Sequence, residues 1–371
     1  YDRPQKAPGL QSRATAEMTT VSREGTAYDL PKELLTLLAS PNIGSRQWIY
    51  RQYDHVVRDG TIVGPGAGDA AVVRAFCETE NGLLEKHLAI AVDCNGRHVK
   101  LDPFQGAAMA VAECARNIVC VGGKPLGTTD CLNFGNPETP ETMWTFAQAI
   151  DGLAAACKAL DVPVVSGNVS LYNETDGQPI LPTPTVALVG LLARPEDRLT
   201  LAFAEEGHVI AHLGKPSEGR LGGSEWVVSK LGRVNGDPVG IDLEAEAALQ
   251  RAVLSMAQRG LLASAHDVSD GGLGVSLAES CIAGSIGATV RLPGEDPRPE
   301  ALLFSEEPSR IVVSFSADSQ DAVRAICTEH GVPMNVLGIT GGDTLTFEGH
   351  FTVPVAELAD AHASALDSIV G

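Results

Sequence analysis

The sequence is short of positive charge and of aromatic side chains. It has 27 Lys and Arg residues against 47 Asp and Glu residues, a formal net charge of −20, and only 5% Phe, Trp and Tyr. A protein that grips nucleic acid needs a basic face, so this balance argues against nucleic acid as a partner. It leaves room for a local phosphate site, because backbone N–H groups and Mg²⁺ can supply positive potential there.

The eight cysteines form no C-x-x-C pair, and no apolar run reaches membrane-spanning length. The first absence removes the usual signal for a zinc site or redox pair, and cysteines within apolar patterns favour a reducing cytoplasm. The second absence, with no visible signal peptide, predicts a protein without a membrane partner. The chain begins at Tyr1, not at Met, and we expect a piece of a longer polypeptide.

The composition is that of a globular protein, and the order of apolar patterns indicates an α/β fold. Its 371 residues are 44% hydrophobic and 20% charged, enough for two or three domains with sizeable cores. Apolar strand patterns alternate with helical patterns, which predicts two α/β domains. Residues 1–42 are interpreted as an arm or linker, and a polar stretch at 194–198 divides a first domain, 43–198, from a second, 199–371.

The stretch from 128 to 174 dominates the functional prediction. Two polar loops, 130–137 and 166–173, flank one helix that Thr139 would cap and Pro140 would open. Residues at three-to-four spacing predict one apolar face on this helix. That face is expected to consist of Trp144, Phe146, Ile150, Leu153, Ala154 and Cys157.

The strand after this helix, 163–165, is expected to be short and buried. It leads into Gly167, where a glycine lets the backbone approach a ligand. Asn168 and Ser170 would face that ligand, and Val169 would face the core, because side chains alternate along a strand. The pattern predicts a loop that binds phosphate and Mg²⁺, although an ordinary turn rich in Gly, Asn and Ser would also explain it.

Other stretches offer further hard oxygen donors. Asp69 follows a glycine loop at the start of a strand, and Asp267 opens an acidic, glycine-containing turn before a helix. Glu113 and Asn117 lie four residues apart on one helix face. Each has an ordinary alternative, such as a turn former at Asp69 or a solvated helix edge at Glu113. His266 is expected to be structural, because no partner base or nucleophile is in sight.

Residues 43–53 form a predicted helix at the start of the first domain. Trp48 and Tyr50 are its aromatic residues, and large aromatic side chains usually anchor a core. We therefore expect both side chains to be buried.

Seven stretches together resemble one known family. In chain order they are 66–73, 102–117, 129–137, 166–174, 219–225, 265–272 and 304–310. In this combination they are similar to formylglycinamide ribonucleotide amidotransferase of the small PurL type, also named phosphoribosylformylglycinamidine synthase subunit II. The similarity runs from about residue 43 to near the C-terminus, and seven motifs in order are far more specific than any one of them.

This resemblance implies a fold. Members of the family contain two copies of a two-domain unit that is related to aminoimidazole ribonucleotide synthetase. The chain resembles the second copy, an N-terminal domain of β-sheet and helices followed by a C-terminal α/β sandwich domain. The first copy carries the family's catalytic histidines and is not matched, so no residue here is assigned a catalytic role.

The resemblance also implies a reaction, that of an ATP-dependent ligase of purine biosynthesis. The family converts formylglycinamide ribonucleotide, ATP and glutamine-derived ammonia into the amidine, ADP and phosphate. Its second copy lends a loop to the active site of the first copy, so this chain is expected to be inactive alone. The expected cofactors are Mg²⁺ and ATP or ADP. The expected partners are the amino-terminal half, a glutaminase subunit, a small bridging subunit and the ribonucleotide substrate.

By the same resemblance, two sets of residues acquire roles. On the loop lent to the active site, Asp130 and Gly167 would contact ATP, Asn168 would ligate Mg²⁺, and Ser170 would contact the ribonucleotide. The chain also has its own pseudo-site for metal and nucleotide. The residues that match metal positions there are Asp69, Glu113, Asn117 and Asp267.

Two alternatives stay open. The chain could be a Mg²⁺-nucleotide-binding scaffold without chemistry, which predicts nucleotide binding near Asp69 and Asp267. It could also be another member of the superfamily, such as aminoimidazole ribonucleotide synthetase or selenophosphate synthetase. The loop 133–137 and the pattern 168–173 argue against that second alternative, and an assay panel with each substrate would separate them.

Overall fold

The structure is a computed structural model that describes residues 3–8, 27–294 and 296–370. Of the predicted arm, 1–42, residues 1–2 and 9–26 lie outside the described residues. The helices are α1 Leu30–Leu38, α2 Gln47–Tyr50, α3 Gly96–Leu101, α4 Pro103–Cys120, α5 Pro140–Leu160, α6 Glu225–Leu231, α7 Leu243–Gln258, α8 Gly272–Gly284, α9 Pro299–Phe304, α10 Gln320–His330, α11 Val355–Ala363 and α12 Asp367–Val370. The strands are β1 Thr61–Val63, β2 Ala71–Thr79, β3 Gly82–Asp93, β4 Gly123–Asn133, β5 Val164–Ser170, β6 Glu174–Thr175, β7 Gln178–Pro179, β8 Thr183–Leu192, β9 Val209–Leu213, β10 Ser264–Asp267, β11 Ala288–Val290, β12 Ile311–Phe315, β13 Met334–Thr340, β14 Thr344–Phe347 and β15 Phe351–Pro354.

The first sheet has six strands in the order β1-β2-β3-β8-β4-β5, with β4 and β5 parallel and the other pairs antiparallel. Helix α4 packs on one face of this sheet, and α5 packs on α4. A local signal sets the start of helix α4: Asp102 accepts the Gln105 amide at 3.0 Å, and Pro103 takes the first turn. The order places β5 at an edge, where only β4 pairs with it.

The predicted apolar face of α5 is partly wrong. Thr139 occupies the N-cap position, but its side chain makes no capping hydrogen bond, and Ile150 is exposed. Small residues face α4, because a Cβ on Gly152 would lie 2.1 Å from the Phe104 carbonyl oxygen. The two helices therefore approach backbone to backbone. The buried positions of α5 are Ala149, Gly152, Leu153, Ala156 and Cys157.

The second sheet has seven strands in the order β10-β12-β9-β13-β11-β14-β15. One face carries a core that includes Phe304, with side chains from α8, α9 and α11. The opposite face carries a second core that includes Phe315, with side chains from α7 and α10. Helices on both faces make this domain an α/β sandwich, so the predicted fold class is confirmed.

Helix α1 belongs to the core of the second domain. Asp29 caps it by accepting the Lys32 amide at 3.3 Å, and Leu34 and Leu38 are fully buried beside Phe304. Helix α1 therefore packs on the second domain, although it precedes the first sheet in the sequence. The domain boundaries drawn from the sequence stay predictions.

The prediction that Trp48 is a core anchor is wrong. Segment 43–53 carries only the four-residue α2, which has no buried residue, and Trp48 is 44% exposed. Tyr50 is half-buried, with its ring 5.5 Å from that of His55. A helix of about one turn has too few positions to present an apolar face, so its aromatic residues stay at the surface.

All eight cysteines are unpaired. Among the described residues, no helix combines the length and the apolar character needed to cross a bilayer.

Candidate functional site

Strand β5 brings four of the predicted site residues together at the edge of the first sheet. In its parallel register with β4, Gly167 lies opposite Asp130, Asn168 opposite Cys131, and Ser170 opposite Asn133. The predicted ATP, Mg²⁺ and substrate residues are therefore neighbours, although more than thirty residues separate the two strands in sequence. We call this group the β4–β5 edge: Asp130, Gly167, Asn168 and Ser170.

Gly167 allows a close approach that a side chain would prevent. A Cβ at this position would lie 2.6 Å from Asp130 Oδ1, so the Asp130 carboxylate lies directly over the glycine. Burial raises the pKa of Asp130, while the Asn168 backbone N–H, which donates to its carboxylate, opposes that rise. The edge thus presents a carboxylate held by the backbone of its neighbouring strand.

The polar side chains of the β4–β5 edge are lightly bonded. Asn168 Nδ2 has one weak partner, Cys131 Sγ at 3.8 Å, and Ser170 Oγ donates to Asn173 Oδ1 at 3.2 Å. Within the described residues, the amide oxygen of Asn168 accepts no hydrogen bond. An amide oxygen of this kind is a suitable hard ligand for Mg²⁺.

The prediction of a short buried strand here is wrong. Strand β5 spans seven residues, Val165 is 74% exposed, and Val169, which was expected to face the core, is 52% exposed. The physical reason is topological, because β5 is an edge strand paired on one side only. Alternation predicts which side chains share a face, but it cannot tell whether anything covers that face.

The second group of predicted residues lies between the two domains, around Arg116 of α4. Arg116 is 1% exposed, and its Nε and Nη2 donate to the carboxylate of Asp267 at 2.5 and 3.2 Å. Its Nη1 donates to Glu246 Oε2 at 2.9 Å. One buried cation thus neutralises two carboxylates of the second domain, one on α7 and one on β10. We call this group the Arg116 cluster: Asp69, Asp93, Glu113, Arg116, Asn117, Glu246 and Asp267.

Asp69 is bound within the same cluster. Its Oδ1 faces His266 Nδ1 at 2.6 Å and its Oδ2 accepts the Asp267 amide at 2.7 Å. Burial alone would lower the pKa of His266, but the carboxylates of Asp69 and Glu279 raise it well above the ordinary value. The hydrogen bonds of His266 to Asp69 and Glu279 agree with the expected structural role.

Glu113 and Asn117 face a carboxylate that the sequence did not single out. Asn117 Nδ2 donates to Asp93 Oδ2 at 3.2 Å, and Glu113 Oε2 lies 3.9 Å from Arg116 Nη2. Burial, then Asp270 and Asp267, raise the pKa of Asp93 to about 8. Burial, then Asp93, raise the pKa of Glu113 well above its usual value. Glu113 is therefore not at a solvated helix edge.

The fit of this cluster to Mg²⁺ depends on which oxygens are free. Both oxygens of Asp69 and both oxygens of Asp267 already bind protein donors. Asp93 and Glu113 crowd one another, and hard oxygen donors that repel each other are suited to a divalent cation. In the described part of the chain, no three His, Cys, Asp or Glu side chains stand in metal-ligand geometry. The donor chemistry fits Mg²⁺, but the ligands are not assembled around a point.

A second ionic group joins the domains beside the Arg116 cluster. Arg97 of α3 lies 3.0 Å from Glu225, 2.9 Å from Asp270 and 3.2 Å from Glu306. Burial, then Glu306, raise the pKa of Asp270 to about 6, while Arg97 opposes that rise. These contacts clamp the first domain to the second.

Three charged residues of these groups, Asp93, Arg97 and Arg116, were not predicted from the sequence. Arg116 had an available signal, because it interrupts a helix face of small apolar residues as Glu113 does. Arg97 and Asp93 lie at the junction of a strand and a short helix, and no local pattern distinguishes them from exposed charges.

Comparisons with known protein families agree with the fold. The family model for the AIR synthase related protein, N-terminal domain, matches residues 67–192. The model for the AIR synthase related protein, C-terminal domain, matches residues 205–348. Together they cover both sheets except the edge strands β1 and β15.

Known proteins resemble the chain over part of their length. The phosphoribosylformylglycinamidine synthase subunit PurL of Anaeromyxobacter sp. (strain Fw109-5) is 49% identical over 381 aligned residues, covering 100% of this chain and 49% of that protein. The structure described as T. maritima PurL complexed with FGAR has a TM-score of 0.73 at 21% identity, covering 94% of this chain and 56% of that one.

A second solved structure, T. maritima PurL complexed with ATP, has a TM-score of 0.67 at 21% identity and covers 95% of this chain and 55% of that one. At such identities the structural likeness establishes the fold alone. The chain spans about half the length of the curated relatives it matches.

Proposed function

The chain belongs to the AIR synthase related proteins, and from this premise we propose that it is the carboxyl-terminal half of a formylglycinamide ribonucleotide amidotransferase. The reaction joins ammonia from glutamine to formylglycinamide ribonucleotide at the expense of ATP, giving the amidine, ADP and phosphate. The identity to PurL over the whole chain supports this proposal, as does a match that stops at about half of each relative.

The observation that carries the proposal is the uncovered apolar face of the first sheet. On the side opposite α4, Ile90 and Val189 are directly paired and both exposed, and Val92 is 65% exposed. Val165 reaches the same side, because a Cβ on Gly127, which pairs with Val189, would lie 3.4 Å from it. We call Ile90, Val92, Val165 and Val189 the outer face. A contiguous apolar sheet face of this kind marks an interaction surface.

The proposed occupant of the outer face is the amino-terminal half of the same enzyme. The relatives are about twice as long as this chain, so they contain a second body large enough to cover a sheet. Covering this face would also bring that body beside β5, which borders it. The β4–β5 edge would then lie between two surfaces instead of in open solvent.

In this assembly the β4–β5 edge supplies binding groups to an active site whose catalytic residues lie on the other half. Asp130 and the backbone at Gly167 would contact ATP, and Ser170 would contact the ribonucleotide. The free amide oxygen of Asn168 would hold Mg²⁺, which supplies charge neutralisation to a transferring phosphoryl group. The exposure of these side chains supports the assignment, because polar groups with few internal partners are available to a ligand.

The proposed partners follow the family. A glutaminase subunit would deliver ammonia, and a small bridging subunit would join it to the synthetase. The acidic balance of the chain supports small-molecule substrates over nucleic acid. The eight unpaired cysteines support a cytoplasmic enzyme.

The test is complementation between separate halves. The chain alone should show no amidine synthesis from formylglycinamide ribonucleotide, Mg-ATP and ammonia, and adding the amino-terminal half should restore it. Asn168→Ala should lower the restored rate by about a hundredfold if it removes a ligand of the metal. Asn81→Ala, at an exposed turn between β2 and β3, is the matched control and should leave the rate unchanged. Turnover by the isolated chain would refute the proposal.

The Arg116 cluster supports a second candidate function, a bound nucleotide that is not turned over. Asp93 and Glu113 crowd one another although Arg116 lies nearby, and a Mg-nucleotide would relieve the repulsion that remains. In a calorimetric titration of the chain with Mg-ADP, saturable binding that Glu113→Gln weakens would support this role. No binding of Mg-ADP at any concentration tested would reject it.

A further inference from the structure

A cavity of about 430 Å³ lies in the second domain, and Gln105 of the first domain lines one part of it. Its walls come from the start of α4, the start of α7, and the segments 214–220, 307–310 and 331–333. We call it the Arg310 cavity. No member of the β4–β5 edge or of the Arg116 cluster lines it. Its volume is within the range of clefts that hold small molecules.

Arg310 is a buried cation in the wall of this cavity, and it forms no ion pair with any described residue. It is 1% exposed; its Nε donates to the Glu307 carbonyl oxygen at 2.7 Å and its Nη2 to the Ser305 carbonyl oxygen at 2.6 Å. Over the described ranges, Nη1 has no acceptor, and no carboxylate lies within ion-pair distance of the guanidinium. Burial lowers the pKa of Arg310 to about 10, while the more distant carboxylates of Glu307, Asp267 and Glu306 oppose that fall.

The Ser309 hydroxyl is a second group in this wall, after Arg310 Nη1, that has no hydrogen-bond partner among the described residues. Its Oγ is buried. Buried hydroxyls are normally bonded, so an orphan that lines a cavity indicates a missing acceptor or donor there. Lys215 lines the cavity as well; its side chain is exposed, and no carboxylate pairs with it in the part of the chain described.

The acidic residues of the wall are already engaged. Glu307 Oε2 accepts from the Ser217 hydroxyl at 2.5 Å and from the Glu218 amide at 2.9 Å. Asp242 caps α7 by accepting the Glu244 and Ala245 amides, each at 3.1 Å. The remaining acid, Glu218, pairs with Arg220. The wall therefore keeps its carboxylates bonded and leaves the cations of Arg310 and Lys215 unmatched.

We propose that the Arg310 cavity is a binding site for a small molecule that carries one oxyanion group, a phosphate or a carboxylate. Arg310 Nη1 and the Lys215 ammonium donate to that group, and Ser309 Oγ completes its hydrogen bonds. Guanidinium and ammonium donors form the stronger, charge-assisted class of hydrogen bond with such an anion. This site is separate from the β4–β5 edge and does not depend on the synthetase function proposed above.

The test is calorimetric titration of the full-length natural polypeptide that contains this sequence, with inorganic phosphate and with acetate as separate probes at constant ionic strength. Saturable binding of phosphate alone identifies a phosphate ligand, and saturable binding of acetate identifies a carboxylate ligand. Lys215→Gln should weaken binding about tenfold by removing one charge-assisted donor. Ser309→Gly should also weaken it, and this variant should fold, because Ser309 has φ of +64°, which glycine adopts without strain.

The matched control is Lys32→Gln, which removes the same charge from an exposed lysine outside the cavity. It should leave the affinity unchanged, as should Asn168→Ala at the β4–β5 edge. The proposal is overturned if neither probe binds saturably, or if Lys215→Gln and Lys32→Gln weaken binding equally. Binding that Asn168→Ala abolishes and Lys215→Gln leaves intact belongs to the other site, and it overturns the proposal as well.

Discussion

The Arg116 cluster and the β4–β5 edge contain similar residue types in opposite states. In the first, carboxylates from several elements converge on the buried Arg116, and most of their oxygens have donors. In the second, Asn168 and Ser170 lie on an exposed strand with few internal bonds. The difference teaches that the same hard oxygen donors can serve as a structural joint or as an open binding surface. Burial and available cations decide which.

The largest expected effect on stability comes from removing the buried cation of the Arg116 cluster. Arg116→Met leaves Asp267 and Glu246 as buried carboxylates without a cation, which typically costs about 3–5 kcal/mol of stability. Urea unfolding followed by circular dichroism measures this loss. Arg251→Met, at an exposed position of α7, is the control and should change stability by less than about 0.5 kcal/mol. If the two variants unfold at the same midpoint, Arg116 does not hold the cluster together.

The next prediction concerns the repulsion between carboxylates in the Arg116 cluster. Burial, then Asp270 and Asp267, raise the pKa of Asp93 to about 8, whereas an unfolded Asp titrates near about 4. Between these values the folded chain keeps a proton that the unfolded chain has released, so stability falls as pH rises through this window. Asp93→Asn cannot titrate and should reduce this fall, gaining on the order of a few kcal/mol near pH 8, while Glu113 and Asp270 keep part of the fall because their pKa values are raised as well.

The measurement is the free energy of urea unfolding from about pH 5 to 8 without divalent cations. Asp151→Asn, at an exposed position of α5, is the control and should leave the slope as it is. Adding Mg²⁺ should stabilise the unmodified chain more at the upper end of this window than at the lower end. If the unfolding free energy of Asp93→Asn falls with pH as steeply as that of the unmodified chain, Asp93 does not contribute to the fall.

At the β4–β5 edge the expected effect on stability is smaller. Gly167→Ala places a methyl group 2.6 Å from Asp130 Oδ1, so that carboxylate must rotate away. It can turn into solvent, and the loss of stability should be about 1 kcal/mol or less. The apparent KM for Mg-ATP in the assembled enzyme should rise about tenfold, which corresponds to about one lost hydrogen bond to a charged group.

Gly64→Ala is the control for this change, because its added methyl would meet nothing nearer than Thr61 Cγ2 at 3.8 Å. Steady-state kinetics and urea unfolding on both variants separate binding from folding. A large loss of stability for Gly167→Ala with unchanged KM would make the β4–β5 edge a structural element, like the Arg116 cluster.

The smallest expected effect on stability is at the outer face. Val92→Ser changes a side chain that is 65% exposed, so the chain's own stability should stay within about 0.5 kcal/mol. Association with the amino-terminal half, measured by sedimentation, should weaken about tenfold, because a central apolar contact is lost. Ile339→Ser, on an exposed position of β13 in the second domain, should leave association unchanged. Equal association for all three proteins would remove the outer face as an interface.

Sequence reasoning was strongest where the signal lies within a few residues. Pro140 opens its helix as the sequence predicted. Asp29 and Asp102 show a signal of the same short range, because each caps its helix through a hydrogen bond to an amide three residues ahead. It failed where burial depends on the neighbours of an element. Trp48, Ile150 and Val169 are apolar and well placed by periodicity, yet each is exposed because nothing in the described chain packs over it.

The two site groups show the same division. The oxygen donors Asp69, Glu113, Asn168 and Asp267 could be named from residue type and spacing. Their surroundings could not, because Arg116 and Asp267 are 151 residues apart, and Arg97 and Glu306 are 209 apart. Helix caps, glycine turns and strand alternation depend on residues that are close in sequence. The sequence alone therefore determined the helices, the strands and the types of residue at their ends. Only the tertiary structure decided which donors were neutralised and which were left open, since neutralisation depends on cations brought in from distant parts of the chain.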